Sequence, residues 1–166
     1  MAGLPGTGKT AVALELARRL NGRVLSKDEF RHAIFAADEI EYSTRQDDFC
    51  QQLMLETAGY LLSRDPSKYV FLDGRPFSRR YQIENVITFA DSLHQPWCII
   101  ECVCSAETVR HRLEVDNRDG KHPAVNRNFQ LYLDVKARHE TILQPKIVID
   151  TALAMEECIA DLSGRL

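Results

Sequence analysis

Short apolar runs alternate along this chain with longer segments whose apolar positions recur every three or four residues. Arg23-Val24-Leu25-Ser26, Tyr69 to Gly74, Trp97 to Cys104 and Lys146 to Asp150 read as strands, apolar through their centres and so buried on both faces. Between them the pattern predicts helices over 11–20, up to Phe35, and over 44–63, 78–93, 106–115, 129–139 and 152–162. Val12, Leu14, Leu16, Ala17 and Leu20 are the apolar positions of the first helix, and the fourth carries Ile83, Val86, Ile87 and Phe89 inward. Ser43 and Ser105 stand where N-caps are needed, Asn21-Gly22 where a helix must stop, and Pro66 where another cannot continue. Strands and helices in strict alternation require right-handed crossovers and a parallel sheet covered on both sides. The expected architecture is one α/β domain over residues 1–166, a three-layer α/β/α sandwich. Its parallel sheet has five strands, the stub Met1-Ala2 included.

One stretch changes this picture from architecture to chemistry. Gly3-Leu4-Pro5-Gly6-Thr7-Gly8-Lys9-Thr10 fits G-x-x-x-x-G-K-[ST], the phosphate-binding loop, and stands directly before a helix. Gly3, Gly6 and Gly8 allow backbone angles that turn successive N–H groups around a phosphate. Pro5 and Thr7 lie in the same turn. Lys9 brings a compact positive charge to the terminal phosphates, and the Thr10 hydroxyl can complete a Mg²⁺ shell. The helix dipole adds to the attraction. A glycine-rich turn that merely caps a helix is the bland alternative, and the register of Gly, Lys and Thr argues against it. Only Met1-Ala2 precede the loop, where a buried strand of several apolar residues is usual; the expectation is a natural start further upstream.

Composition narrows the class. The chain has 166 residues, 45% hydrophobic and 27% charged, enough for one sizeable core. No apolar run reaches the roughly 18–20 residues a membrane helix needs, no signal peptide is visible, and a cytoplasmic location is expected. A net charge of −3 carries no general nucleic-acid signature. Five cysteines, an odd count without framework spacing, suit a reducing compartment. Cys98, Cys102 and Cys104 would share a strand face, and without a C-x-x-C pair they read as structural thiols. The five histidines show no metal spacing.

In an open parallel sheet, ligands lie beyond the carboxyl ends of the strands. That rule singles out Asp28, after the second strand, although Asp28 also suits the cap of the helix that follows. It singles out Asp73, at the tip of the third strand, as a direct or water-mediated Mg²⁺ ligand. Arg75, Arg79 and Arg80 come next, a loop suited to an anionic ligand or to solubility. Residues 28–56 carry eight acids against Arg31 and Arg45, read as a solvated face. Roughly 116–131 is polar, basic and broken by Gly and Pro, the composition of a closing lid. A switch GTPase would show Asn/Thr-Lys-x-Asp and Asp-x-x-Gly motifs, and neither is present. A motor ATPase needs a longer module with its own helical domain. A kinase needs an acceptor grip, a proton acceptor, positive charge on the moving group and exclusion of water, and these residues offer all four.

The phosphate loop, Asp28-x-x-Arg31, Leu72-Asp73-Gly74 and the arginine-bearing lid together resemble the small P-loop kinases. That group includes adenylylsulfate kinase, chloramphenicol phosphotransferase, zeta toxins, gluconate kinase and the kinase domain of polynucleotide kinase. The resemblance spans about residues 1–151 and implies a P-loop NTPase fold using ATP and Mg²⁺. It implies that Asp28 activates the acceptor, with Lys9 and a lid arginine, Arg118 foremost, as catalytic partners. Arg31, Arg75 and Arg80 are the expected acceptor-binding residues, and Arg112 and Arg127 further candidates for phosphate contact. Ser26-Lys27-Asp28 stands where adenylylsulfate kinase would read Asp-Gly-Asp, which argues against a sulfonucleotide substrate. The expected activity is phosphoryl transfer to a hydroxyl of a small molecule, by a monomer or homodimer. A 5′-hydroxyl polynucleotide or tRNA-linked kinase tracking its strand with Arg75, Arg79 and Arg80 is the alternative enzyme. An ATP sensor without transfer is the alternative of another class.

Overall fold

The computed structural model describes residues 1–119 and 128–165. Seven helices and four strands alternate through them: α1 (Lys9–Arg19), β1 (Arg23–Ser26), α2 (Lys27–Ile34), α3 (Thr44–Arg64), β2 (Val70–Asp73), α4 (Arg80–Ser92), β3 (Ile100–Val103), α5 (Ala106–Asp119), α6 (Phe129–Ala137), β4 (Ile147–Asp150) and α7 (Met155–Ser163), with a single 3-10 turn at Ala37–Glu39. Local chemistry sets the boundaries. Ser43 accepts the Gln46 N–H at 3.1 Å to open α3, and Ser105 accepts the Thr108 N–H at 3.1 Å to open α5. Asp28 does not cap α2. That role falls to Ser26, the last residue of β1, whose hydroxyl accepts the Glu29 N–H.

All pairing is parallel. β1 lies beside β2 with Val24 opposite Phe71, and β3 beside β4 with Cys102 opposite Ile149. The expected fifth strand is a single bridge. Ala2 donates its N–H to the Ile100 carbonyl at 2.7 Å and accepts the Cys102 N–H at 2.9 Å, while the Met1 ammonium donates to the Leu72 carbonyl at 2.9 Å. Residues 1–2 thus stand between β2 and β3. An apolar cavity of about 660 Å³ opens beside them, walled by Leu55, Phe71, Ile83 and Ile99 among others.

The strands alternate their side chains between two helical layers. Val24, Phe71, Ile100, Cys102, Ile147 and Ile149 meet α1 and α7 through Val12, Leu16, Ile159 and Leu162. From the opposite face, Leu25, Val70 and Leu72 meet Met54 and Ala58 of α3, and Ile99 meets Ile83 of α4. This is the three-layer arrangement, and it leaves the strand tips Ser26, Asp73, Val103 and Asp150 along one edge. α5 and α6 pack on each other beside that edge through Val109, Leu113 and Tyr132. Among the described residues no helix is long and apolar enough to cross a membrane.

The thiols do not share one strand face, because β3 ends before Cys104 and begins after Cys98. Cys102 is buried, and desolvation pushes its thiol up to about 11; Cys98 is exposed. Iodoacetamide at mildly alkaline pH is expected to label Cys98 in the folded protein and Cys102 only after unfolding, read by peptide mass. Leu16→Ala removes a side chain at the α1–α7–sheet junction that is 1% exposed, and is expected to cost about 2–5 kcal/mol in a urea melt.

Candidate functional site

The phosphate loop is held by its glycines. Gly3, Gly6 and Gly8 have φ of 125°, 79° and 80°. A Cβ on Gly3 would stand 2.3 Å from the Cys102 carbonyl oxygen, so no larger residue fits where the loop leaves the sheet. Gly8 is the left-handed N-cap from which α1 starts, bringing that helix's N-terminus onto the loop. Inside the turn, the Thr7 hydroxyl donates to the Leu4 carbonyl at 2.8 Å and Lys9 Nζ to the same oxygen at 2.9 Å. The far side is stitched to the residue after β4. Thr151 Oγ1 donates to the Thr7 carbonyl at 2.9 Å, and Arg112 donates to the Thr151 hydroxyl and carbonyl at 3.0 and 2.6 Å.

At the tip of β2, Asp73 meets this loop. Thr10 Oγ1 donates to Asp73 Oδ2 at 2.7 Å, joining the two residues expected to hold Mg²⁺. Asp73 is 1% exposed and its second oxygen, Oδ1, has no hydrogen-bond partner among the described residues. A buried carboxylate oxygen left over beside a hydroxyl fits a hard cation that takes one or two protein oxygens, with water and phosphate completing its shell. Among the described residues no cluster of three or more His, Cys, Asp or Glu side chains offers a fuller metal cage.

The loop and the acceptor-side residues share one groove of about 780 Å³, lined among others by Lys9, Thr10, Asp28, Tyr42, Asp47 and Asp73. Asp28 lies in the first turn of α2, half-buried, its Oδ1 accepting from Arg31 Nη1 at 2.7 Å. Arg31 is placed differently from the expectation of an acceptor grip. It is fully buried, with Nε on the Gln46 side chain at 3.1 Å, Nη2 on Asp47 and its guanidinium over the Tyr42 ring at 5.0 Å. Lys27, also buried, donates to Asp47 Oδ1 at 2.8 Å and stands 3.6 Å from Asp28.

Arg75 also turns inward. It is 3% exposed, bonds Gln51 and Asp48 of α3 at 2.5 Å each, and is not among the groove-lining residues. Arg80 opens α4, its backbone N–H on Glu140, and Arg79 pairs with the same carboxylate at 3.1 Å, which holds that carboxyl below its usual range. The three arginines thus form no common patch, since two are tied to α3 or Glu140 and point to different neighbours. Arg118 is exposed on α5, while Arg127, His122 and the centre of the lid fall outside the described residues.

Sequence reasoning missed Lys27, Tyr42, Gln46 and Asp47 as lining or framing groups, and Arg138, at the end of α6, as an arginine that borders the groove. Asp47 sits in the acidic stretch whose composition suggested only solvation. No local motif marks it, because its partners are sixteen and twenty residues away.

A family model described as "AAA domain" matches residues 1–139. The chain belongs to that family. The fold of this AAA domain is that of the small P-loop kinases. It superposes on the APS kinase of Mycobacterium tuberculosis in complex with AMPPNP and APS with a TM-score of 0.70 at 15% identity, over 98% of this chain and 92% of the other. A gluconokinase from Sinorhizobium meliloti 1021 gives 0.66 at 14% identity, over 96% and 85%. Kti12 of Chaetomium thermophilum in complex with ADP-AlF3 gives 0.65 at 13% identity, over 98% and 95%. No curated protein matches the chain. At these identities the likeness is one of fold, so the choice between transfer, hydrolysis and mere binding falls to the groove.

Asp73→Asn keeps a hydrogen-bond acceptor for Thr10 and removes the charge. The gain in nucleotide affinity on adding Mg²⁺ is expected to drop about tenfold or more, near 1.4 kcal/mol, with magnesium-free binding unchanged, by calorimetry. An unaltered magnesium response removes Asp73 from the role.

Proposed function

We propose that this AAA domain is an ATP-dependent phosphotransferase that moves the γ-phosphoryl group to a hydroxyl of a small-molecule acceptor. One observation carries the reading: a carboxylate, Asp28, lines the same groove as Lys9, Thr10 and Asp73. Transfer needs a proton acceptor within reach of the phosphate cradle, and Asp28 supplies a carboxylate there.

The residues divide the work. The backbone of Gly3 to Gly8 and Lys9 hold the phosphates and stabilise charge on the transferring group. Thr10 and Asp73 hold Mg²⁺, which supplies charge neutralisation on the phosphates. Asp28 orients the acceptor hydroxyl and takes its proton as that oxygen bonds the γ-phosphorus and the bond to the ADP oxygen breaks. Arg112, fixed on Thr151 beside Gly8, borders the cradle from the α5 side. Arg118, Arg127 and Arg138 are the lid-side cations able to close on the phosphates and exclude water. Of the three arginines expected to track a strand in the polynucleotide alternative, Arg75 is buried against α3 and Arg79 is paired with Glu140, which weakens that reading.

With γ-labelled ATP and a pool of cell metabolites, label is expected in an alcohol phosphate. Asp28→Asn is expected to lower that transfer by about 10²–10⁴-fold while sparing ATP binding. Free phosphate alone, at equal rates in both proteins, sinks the reading.

A further inference from the structure

We infer that the acceptor is an uncharged polyol, with neither a phosphate, sulfate or carboxylate group nor an ammonium group entering the groove. This rests on the transfer reading above and adds the charge class of the substrate. An anionic acceptor would need a cation to meet it beside Asp28. Among the described residues the cations in contact with Asp28 and Asp47 are Lys27 and Arg31, and both are already matched. Arg31 spends its guanidinium on Asp28, Asp47 and Gln46, and Lys27 lies between Asp47 and Asp28. Arg75, the other arginine expected to grip an anion, is held by Asp48 and Gln51 outside the groove lining.

The four charges balance, two against two, and three of the four side chains are less than a seventh exposed. To bind an anion, Arg31 or Lys27 would have to leave a charge-assisted bond, stranding Asp28 or Asp47 in a part-buried site next to a new negative charge. A cationic acceptor unbalances the cluster the other way, competing with Lys27 and Arg31 for the same two carboxylates. Hydroxyl groups do neither. They donate to the carboxylate lone pairs that the cations leave over. Of the other described cations that line the groove, Arg18 is bonded to Glu15, and Arg23 and Arg138 are not among the ion-pair partners of Asp28 or Asp47.

Two measurements on the full chain decide this. In the first, free sugars and cyclitols compete as acceptors for label from γ-labelled ATP against their phosphorylated, carboxylated and amino counterparts. The uncharged members are expected to show kcat/KM at least about tenfold higher, the loss expected for burying one unmatched charge. Preference for a charged member overturns the inference. In the second, which needs no turnover, Mg²⁺ and AMPPNP fill the phosphate cradle and sulfate is titrated at constant ionic strength. In the low millimolar range, below the general stabilising effect of sulfate, the wild type is expected to show no saturable rise in Tm, and Asp47→Asn, which leaves two cations to one carboxylate, to gain one. Such a rise in the wild type overturns the inference even if Asp47→Asn fails to fold. Transfer to no compound, with sulfate still refused, sinks the transfer reading and leaves the charge match standing.

Discussion

Two hydrogen bonds between Ala2 and β3 and one from the Met1 nitrogen to β2 join the halves of the sheet. Everything on the functional edge depends on that joint. Gly3 follows it at once, packed so closely on the Cys102 carbonyl that the loop's origin is fixed by contact with β3. Asp73 belongs to β2, on the other half. The Thr10–Asp73 hydrogen bond therefore spans the joint, and the candidate cation site exists only while both half-sheets keep their spacing.

Much of this was legible in the chain. Short apolar runs and the 3.6-residue period give the seven α-helices and four strands of the described residues, and α3 matches to within a residue, because Ser43 caps it and its apolar stripe is long. The strands are shorter than their apolar runs: Trp97, Cys98 and Cys104 carry apolar character beyond the ladder. The phosphate loop and the Thr10–Asp73 pair follow from motif and topology, since each needs only its own strand tip or turn.

Side-chain direction was not legible. Asp28-x-x-Arg31 places two residues one turn apart on a helix, which says that they can meet and nothing of whether the guanidinium faces substrate or interior. The deciding partners are on α3, across a connection of varied composition, and a carboxylate there draws Arg31 inward. Arg75 repeats the lesson. Basic residues after a strand suggest an anion, yet a helix carboxylate and a buried amide claim this one first. Composition records which charges a chain has; only packing records which of them are already matched.

The tandem Asp47-Asp48 near the start of α3 carries a mechanical meaning. One holds Arg31 and Lys27 from the segment after β1; its neighbour holds Arg75 from the segment after β2, together with the Tyr81 hydroxyl of α4. Adjacent carbons of one rigid rod thus grip both walls. Neither wall can shift to accommodate a guest without dragging the rod, and with it the other wall, so any adjustment on that side is shared between them.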